Sequence, residues 1–144
     1  NNRDPHDNHQ KDLQIALNKA MRLVTGKKLS DRVSINDLCT ESGMVSVNRM
    51  SAIDKISLTW NSLNNPKSPL ADSFKVISGS GERSSRAKTR GDLQTLAKTS
   101  LGQRNVPHSA VSLWNQCEST IRSSVEAKKI PKNSIRKYAE SLPV

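Results

Sequence analysis

The side chains of this sequence with clear chemistry are mostly cationic. Lysine and arginine number 23 against 13 aspartates and glutamates among 144 residues, which gives a net charge of +10. Guanidinium and ammonium groups bind phosphate oxygens, so the excess predicts affinity for polyanions, with RNA or DNA first. Residues 75–106 carry seven cations and two carboxylates, a local charge of +5. The densest run there is Arg83, Arg86, Lys88 and Arg90.

We expect this run to contact phosphates as an arm that follows the flexible Ser78–Gly81 hinge. A solvated loop without a ligand is the alternative interpretation. The other candidate nucleic-acid contacts lie near the ends of predicted helices: Lys27, Lys28, Lys128, Lys129, Lys132, Arg136 and Lys137.

Catalytic or metal chemistry has little support in the other polar residues. The histidines, His6, His9 and His108, are not part of an Asp, Glu or Cys arrangement typical of a metal or catalytic site. No Gly-x-Ser-x-Gly turn or phosphate-binding Gly loop occurs. Cys39 and Cys117 match no metal or redox spacing, which predicts two buried reduced thiols; a disulfide would need a secretory context. We therefore expect no enzyme activity, metal, cofactor or small-molecule substrate.

Trp60 and Trp114 could stack on nucleobases, and Tyr138 is a similar candidate. Both tryptophans lie in phase with the apolar stripe of a predicted helix. Because an indole buries a large area, we predict core positions for both.

The first element that must position these groups is a helix from Leu13 to Gly26. Its apolar residues recur at three- and four-residue spacing, so we expect one buried face formed by Leu13, Ala16, Leu17, Ala20 and Val24. Gly26 predicts a left-handed C-cap. The cations Lys27 and Lys28 follow, where the helix dipole favours them.

Four further helices are predicted. Serine caps favour helices over residues 35–42 and 47–64, and apolar stripes favour helices over residues 109–127 and from Pro131 to Leu142. The caps and stops of the first two are Ser34, Gly43, Ser46 and Pro66. The pattern predicts an all-α fold, a small orthogonal bundle of about five helices with a long basic loop.

We expect one domain with four parts: a flexible leader over residues 1–10, a helical part over 11–74, the basic loop over 75–106 and closing helices over 107–144. No apolar run approaches a membrane span and no signal peptide is visible. We therefore expect an intracellular protein, nuclear or cytoplasmic, with no membrane partner.

Several short motifs follow one another from Leu13 to Leu142. They are Leu13-Gln14, Asn18-Lys19-Ala20, Arg22 and Thr25-Gly26, then Leu38, Gly43 and Val47, then Leu113-Trp114-Asn115, Ile121-Arg122, Tyr138 and Leu142. In this order they resemble the C-terminal tail of reverse transcriptases from non-LTR (LINE-type) retrotransposons. The family usually has Gly-Pro before Leu-Trp-Asn and Leu-Pro after it. Here Ala110-Val111-Ser112 and Gln116-Cys117 stand instead, which predicts a helix that continues through Trp114.

The resemblance implies a non-catalytic module that lies downstream of a polymerase and assists it by binding RNA or DNA. The Asp-Asp pair that holds catalytic metal ions in the family's polymerase does not occur in this sequence, nor does a zinc-binding Cys/His cluster. The alternative is a captured retroelement tail that acts as a structural or partner-binding protein and docks on an acidic protein surface or filament.

Overall fold

The computed structural model describes residues 5–71, 74, 93 and 106–144. Six helices lie in these ranges: α1 Pro5–Thr25, α2 Ile35–Ser42, α3 Val47–Asn64, α4 Val106–Gln116, α5 Ser119–Ser123 and α6 Lys132–Glu140. The predicted all-α fold is confirmed. Among these six helices, none has the length and apolar character needed to cross a membrane.

The chain divides into two compact units. Asn1–Ser51 and Leu142–Val144 form the first, which we call the N-terminal unit, and Ala52–Ser141 forms the central unit. The division falls inside α3, between Ser51 and Ala52. The boundaries at residues 10, 74 and 106 stay predictions.

The N-terminal unit contains α1 and α2. Pro5 is the first residue of α1, where a missing N–H costs nothing, so the helix includes residues 5–10 of the predicted leader. Ser34 caps α2 as predicted: its hydroxyl oxygen accepts from the Asp37 N–H at 3.1 Å. Gly43 ends α2 with a φ of 70°. The buried core of this unit is small and consists of Met21, Leu38 and Cys39.

The buried face of α1 agrees with the predicted one only in part. Leu17 packs against the core of this unit, as predicted. Leu13 and Val24 are exposed to 59% and 63%, whereas Met21 is fully buried. Gln14 lies on the same side as Met21, and its side-chain oxygen accepts from the Val47 N–H at 2.8 Å. Compared with the predicted orientation, α1 therefore turns Gln14 rather than Leu13 toward the start of α3. Gln14 satisfies the free N–H there, and part of the apolar stripe is exposed to solvent.

The central unit has the larger core. Two positions of α3 and three of α4 contribute, together with single residues of the connecting segments and later helices. The buried residues are Ile56, Trp60, Phe74, Leu93, Ala110, Val111, Trp114, Cys117, Ile121 and Ile135.

The predicted helix over residues 109–127 is two helices. As expected, α4 continues through Trp114, but it ends at Gln116. Glu118 has an extended backbone, with φ −59° and ψ 142°, and precedes α5. The Cys117 thiol bonds the Trp114 carbonyl oxygen at 3.0 Å, which ties down the end of α4. The apolar stripe nevertheless continues across the break, because Ile121 is fully buried.

Candidate nucleic-acid interface

Five predicted phosphate contacts of the central unit lie close together in the chain, in and just before α6. Lys128, Lys129, Lys132, Arg136 and Lys137 are all exposed, and we call them the basic patch. Within α6, Ile135 and Ala139 are 1% and 0% exposed. Lys137 lies on the opposite face of the helix from these two residues, so their burial turns it toward solvent.

Two exposed carboxylates flank the patch in the chain, Glu126 and Glu140. Glu140 lies one turn after Arg136, and its Oε1 is 3.5 Å from the arginine Nε. Both side chains are more than half exposed, so this pair contributes little to stability. In the part of the chain that the structure describes, the other four cations form no ion pair. Their charge is therefore available to an external anion.

The segment that leads into α6 holds the first two cations. The Lys128 N–H donates to the Val125 carbonyl at 3.2 Å and closes a turn after α5. Lys128 has a φ of 53°, in the left-handed region. Half-buried Ile130 packs against the central core and anchors the other side of the turn. Pro131 precedes α6 rather than being its first residue.

Lys27 and Lys28 belong to the N-terminal unit, after the end of α1. The Arg22 guanidinium donates to the carbonyl oxygens of Lys28 and Asp31, the latter at 3.2 Å. The Asp31 carboxylate accepts from the Lys28 N–H at 2.7 Å. Lys27 lies 3.6 Å from the carboxylate of Glu41. Only Lys28 of this pair therefore presents a cation without an acidic partner in the described ranges.

Arg83, Arg86, Lys88 and Arg90 lie outside the described residues, so their role as an arm stays a prediction. The structure does describe two residues that flank the run. Phe74 and Leu93 are 5% and 1% exposed, and both belong to the central core.

Asn115, the last residue of the Leu-Trp-Asn motif, holds Leu93. Its side-chain oxygen accepts from the Leu93 N–H at 2.8 Å, and its amide nitrogen donates to the Leu93 carbonyl at 3.0 Å. One side chain thus binds both polar groups of a backbone residue 22 positions earlier. The Leu-Trp-Asn motif includes Asn115, but the sequence around it does not indicate that its partner is Leu93.

The aromatic side chains are structural, as predicted. Trp114 and Trp60 are 1% and 6% exposed. The indole N–H of Trp60 donates to the Ser124 hydroxyl at 2.9 Å, which satisfies its one polar group. Half-buried Tyr138 packs against the same core. Desolvation raises the pKa of Tyr138, and the nearby Cys117 and Glu118 add to the rise.

The cysteines are free and buried, which confirms the predicted reduced thiols. Burial raises the pKa of Cys39, although Arg49 and a hydrogen bond from the Ser46 backbone oppose the rise. Of the histidines, His9 is exposed on α1 and His108 is half-buried in α4. Within the described ranges, no three histidine, cysteine or acidic side chains come close enough to hold a metal ion.

Lys55 is a further cation that was not among the predicted nucleic-acid contacts. It lies half-buried on α3, and desolvation lowers the pKa of its ammonium group. A half-buried ammonium reaches a phosphate less readily than the exposed cations of the basic patch do.

Comparisons with protein-family models, curated proteins and solved structures found no match to this chain. The resemblance to retrotransposon reverse transcriptase tails rests on the sequence motifs alone.

Proposed function

We propose that this chain is a non-catalytic nucleic-acid-binding module that contacts the phosphate backbone of RNA or DNA through the basic patch. The observation that carries the proposal is the patch itself: five exposed cations within ten residues that contain no carboxylate. Glu126 precedes these ten residues and Glu140, which is near Arg136, follows them. Phosphodiester chains present closely spaced anions at regular intervals, which suits such a cluster.

The resemblance to reverse transcriptase tails supports a more specific role. On this proposal the chain acts beside a polymerase in the nucleus or cytoplasm and holds template RNA or target DNA while the polymerase performs the chemistry. The absence of an Asp-Asp pair from the sequence is consistent with a module that has no polymerase activity of its own. Stacking of bases on the tryptophans is not part of the role, because both indoles are buried.

A binding titration at two salt concentrations tests this function. Labelled single-stranded RNA, single-stranded DNA and duplex DNA are each titrated at about 50 mM and about 200 mM salt. We expect affinity for at least one of them to fall steeply with salt, because each neutralised phosphate releases counterions. Affinity below ordinary non-specific binding for all three probes at the lower salt would refute the proposal.

Two matched double variants locate the interface. Lys132→Ser with Lys137→Ser removes two cations of the patch, and Lys11→Ser with Lys19→Ser removes two exposed cations of α1. Both carry the same charge change. We expect the first to reduce the salt slope by about 2 and the second to change it much less. Equal slopes in the two variants would mean that net charge alone, not the patch, binds nucleic acid.

A second candidate function has one observation in its favour. The N-terminal unit exposes large apolar side chains: Leu13, Leu23, Val24 and Leu29 are between 59% and 84% exposed. Such residues, with Lys28 near them in the chain, suit docking on an acidic protein surface that also offers apolar contacts. If nucleic-acid binding is absent at low salt while Leu23→Ser removes binding to such a partner, this candidate replaces the first.

A further inference from the structure

The turn before α6 contains an unusual backbone conformation. Lys128 has a φ of 53° and is the one non-glycine residue with a positive φ among those described. A side chain in the left-handed region crowds its own backbone, so residues other than glycine, asparagine and aspartate rarely occupy it.

Elsewhere the same chain solves this problem with glycine. Gly26 and Gly43 both have a φ of 70°, and each follows the end of a helix. Lys128 lies five residues after the end of α5, at the end of a run of turns, where its N–H donates to the Val125 carbonyl. Two of the three left-handed positions therefore carry glycine, which adopts this backbone without steric cost, and the third carries a lysine, which fits it less well.

The Lys128 side chain has no internal role that would account for this choice. It is exposed, and in the described part of the chain it makes no side-chain hydrogen bond or ion pair. Lys129 is also exposed, and Lys132, Arg136 and Lys137 follow within nine residues.

We propose that Lys128 occupies the left-handed position because its ammonium group binds a phosphate oxygen of the nucleic acid that lies along the basic patch. The inference rests on the proposed function and deepens it, since it assigns one contact to one residue. The left-handed backbone at this turn thus lowers folding stability, but it holds a cation at a fixed place.

Substitution by glycine separates the effect of Lys128 on folding stability from its effect on nucleic-acid binding. Lys128→Gly removes the crowding and the charge together, while Lys129→Gly removes the same charge where no positive φ requires glycine. We expect Lys128→Gly to raise Tm by about 2–4 °C and to lower the salt slope for single-stranded RNA or duplex DNA by about 1. We expect Lys129→Gly to leave Tm unchanged or lower.

Lys128→Asn is a second variant, because asparagine tolerates the left-handed region and keeps a side chain. It should also lower the salt slope, with a smaller rise in Tm. If both Lys128 variants bind RNA and DNA as tightly as the original chain, the inference is wrong.

The Lys132→Ser, Lys137→Ser double variant tells this failure from failure of the proposed function. A slope that falls in the double variant but not in Lys128→Gly overturns only the inference. A slope that falls in neither overturns both. A Tm that drops in Lys128→Gly also overturns the inference, because lysine would then be the better residue for this backbone.

Discussion

Asn115 illustrates how much a single side chain can organise. A primary amide offers a donor and an acceptor side by side, which is the arrangement that one extended backbone residue needs. Here both are used on Leu93, whose side chain is 1% exposed in the central core. The amide therefore supplies hydrogen bonds that a buried backbone cannot obtain from water.

Replacing this side chain should be costly. Asn115→Ala leaves the buried N–H and C=O of Leu93 without these partners, so we expect the free energy of unfolding to fall by about 2–4 kcal/mol. Urea denaturation measures the loss. Gln116→Ala, at the exposed neighbouring position, is the control and should change stability by less than about 0.5 kcal/mol. A small effect of Asn115→Ala would show that water replaces the amide.

Because Cys39 is buried, we expect the folded protein to lose stability at alkaline pH. Burial raises the pKa of this thiol in the folded protein, so the stabilising effect of the neutral thiol is complete below the pKa of the unfolded chain. As pH rises above about 8.5, the unfolded chain ionises first and stability falls until the folded pKa is passed. Tyr138, whose pKa is also raised, acts in the same direction above about pH 10.

The measurement is the difference in unfolding free energy between neutral and alkaline pH. Cys39→Ala should lower stability at every pH, because it leaves a cavity, but its decline from neutral to alkaline pH should be smaller than that of the original chain. Tyr138→Phe provides the parallel comparison at higher pH. Identical pH profiles for Cys39→Ala and the original chain would show that the thiol ionises equally in both states.

At the scale of elements, α1 shows that apolar periodicity predicts where a helix forms, while tertiary contacts determine which of its faces is buried. The apolar spacing and Gly26 predicted a helix here and its C-terminal end, and both are present. The buried face was predicted only in part. Leu17 packs against the core, but Leu13 and Val24 are exposed. The apolar pattern cannot anticipate that Gln14 binds the start of α3. Likewise, the serine caps predicted α2 and α3 to the residue, since capping is a local interaction.

The other structural features that the sequence did not predict also depend on non-local interactions. The end of α4 at Gln116 and the contact between Asn115 and Leu93 depend on how separate segments meet in the central core. The exposure of Lys137 was predictable, because helical spacing places it opposite buried Ile135 and Ala139. The left-handed backbone of Lys128 could not be predicted, since no residue type there signals a positive φ.

The register of α1 can be tested with two substitutions. Gln14→Ala removes the acceptor for the Val47 N–H, and we expect it to lower the free energy of unfolding by about 1–3 kcal/mol. Val24→Ser alters a side chain that the apolar stripe predicted to be buried and that is 63% exposed. It should change stability by less than about 0.5 kcal/mol. The reverse order of effects, measured by urea denaturation, would restore the predicted face.

At the scale of the whole molecule, the two units have very different cores. Among the described residues, the cluster of the N-terminal unit contains three buried hydrophobic residues and that of the central unit contains ten. Small cores bring little apolar area out of water, so we expect the N-terminal unit to open at lower cost than the central unit. The aromatic residues lie on one side of the division: Trp60, Trp114 and Tyr138 all belong to the central unit.

This distribution lets two optical signals follow the units separately. Tryptophan fluorescence reports the central unit, whereas far-UV circular dichroism reports helices of both. Met21→Ala removes the largest side chain of the smaller core, and we expect it to move the circular dichroism transition to lower urea while the fluorescence transition moves little. Ile121→Ala, fully buried in the central unit, should shift the fluorescence transition instead. If Met21→Ala moves both curves equally, the chain unfolds as one cooperative body and the small core is not an independent unit of stability.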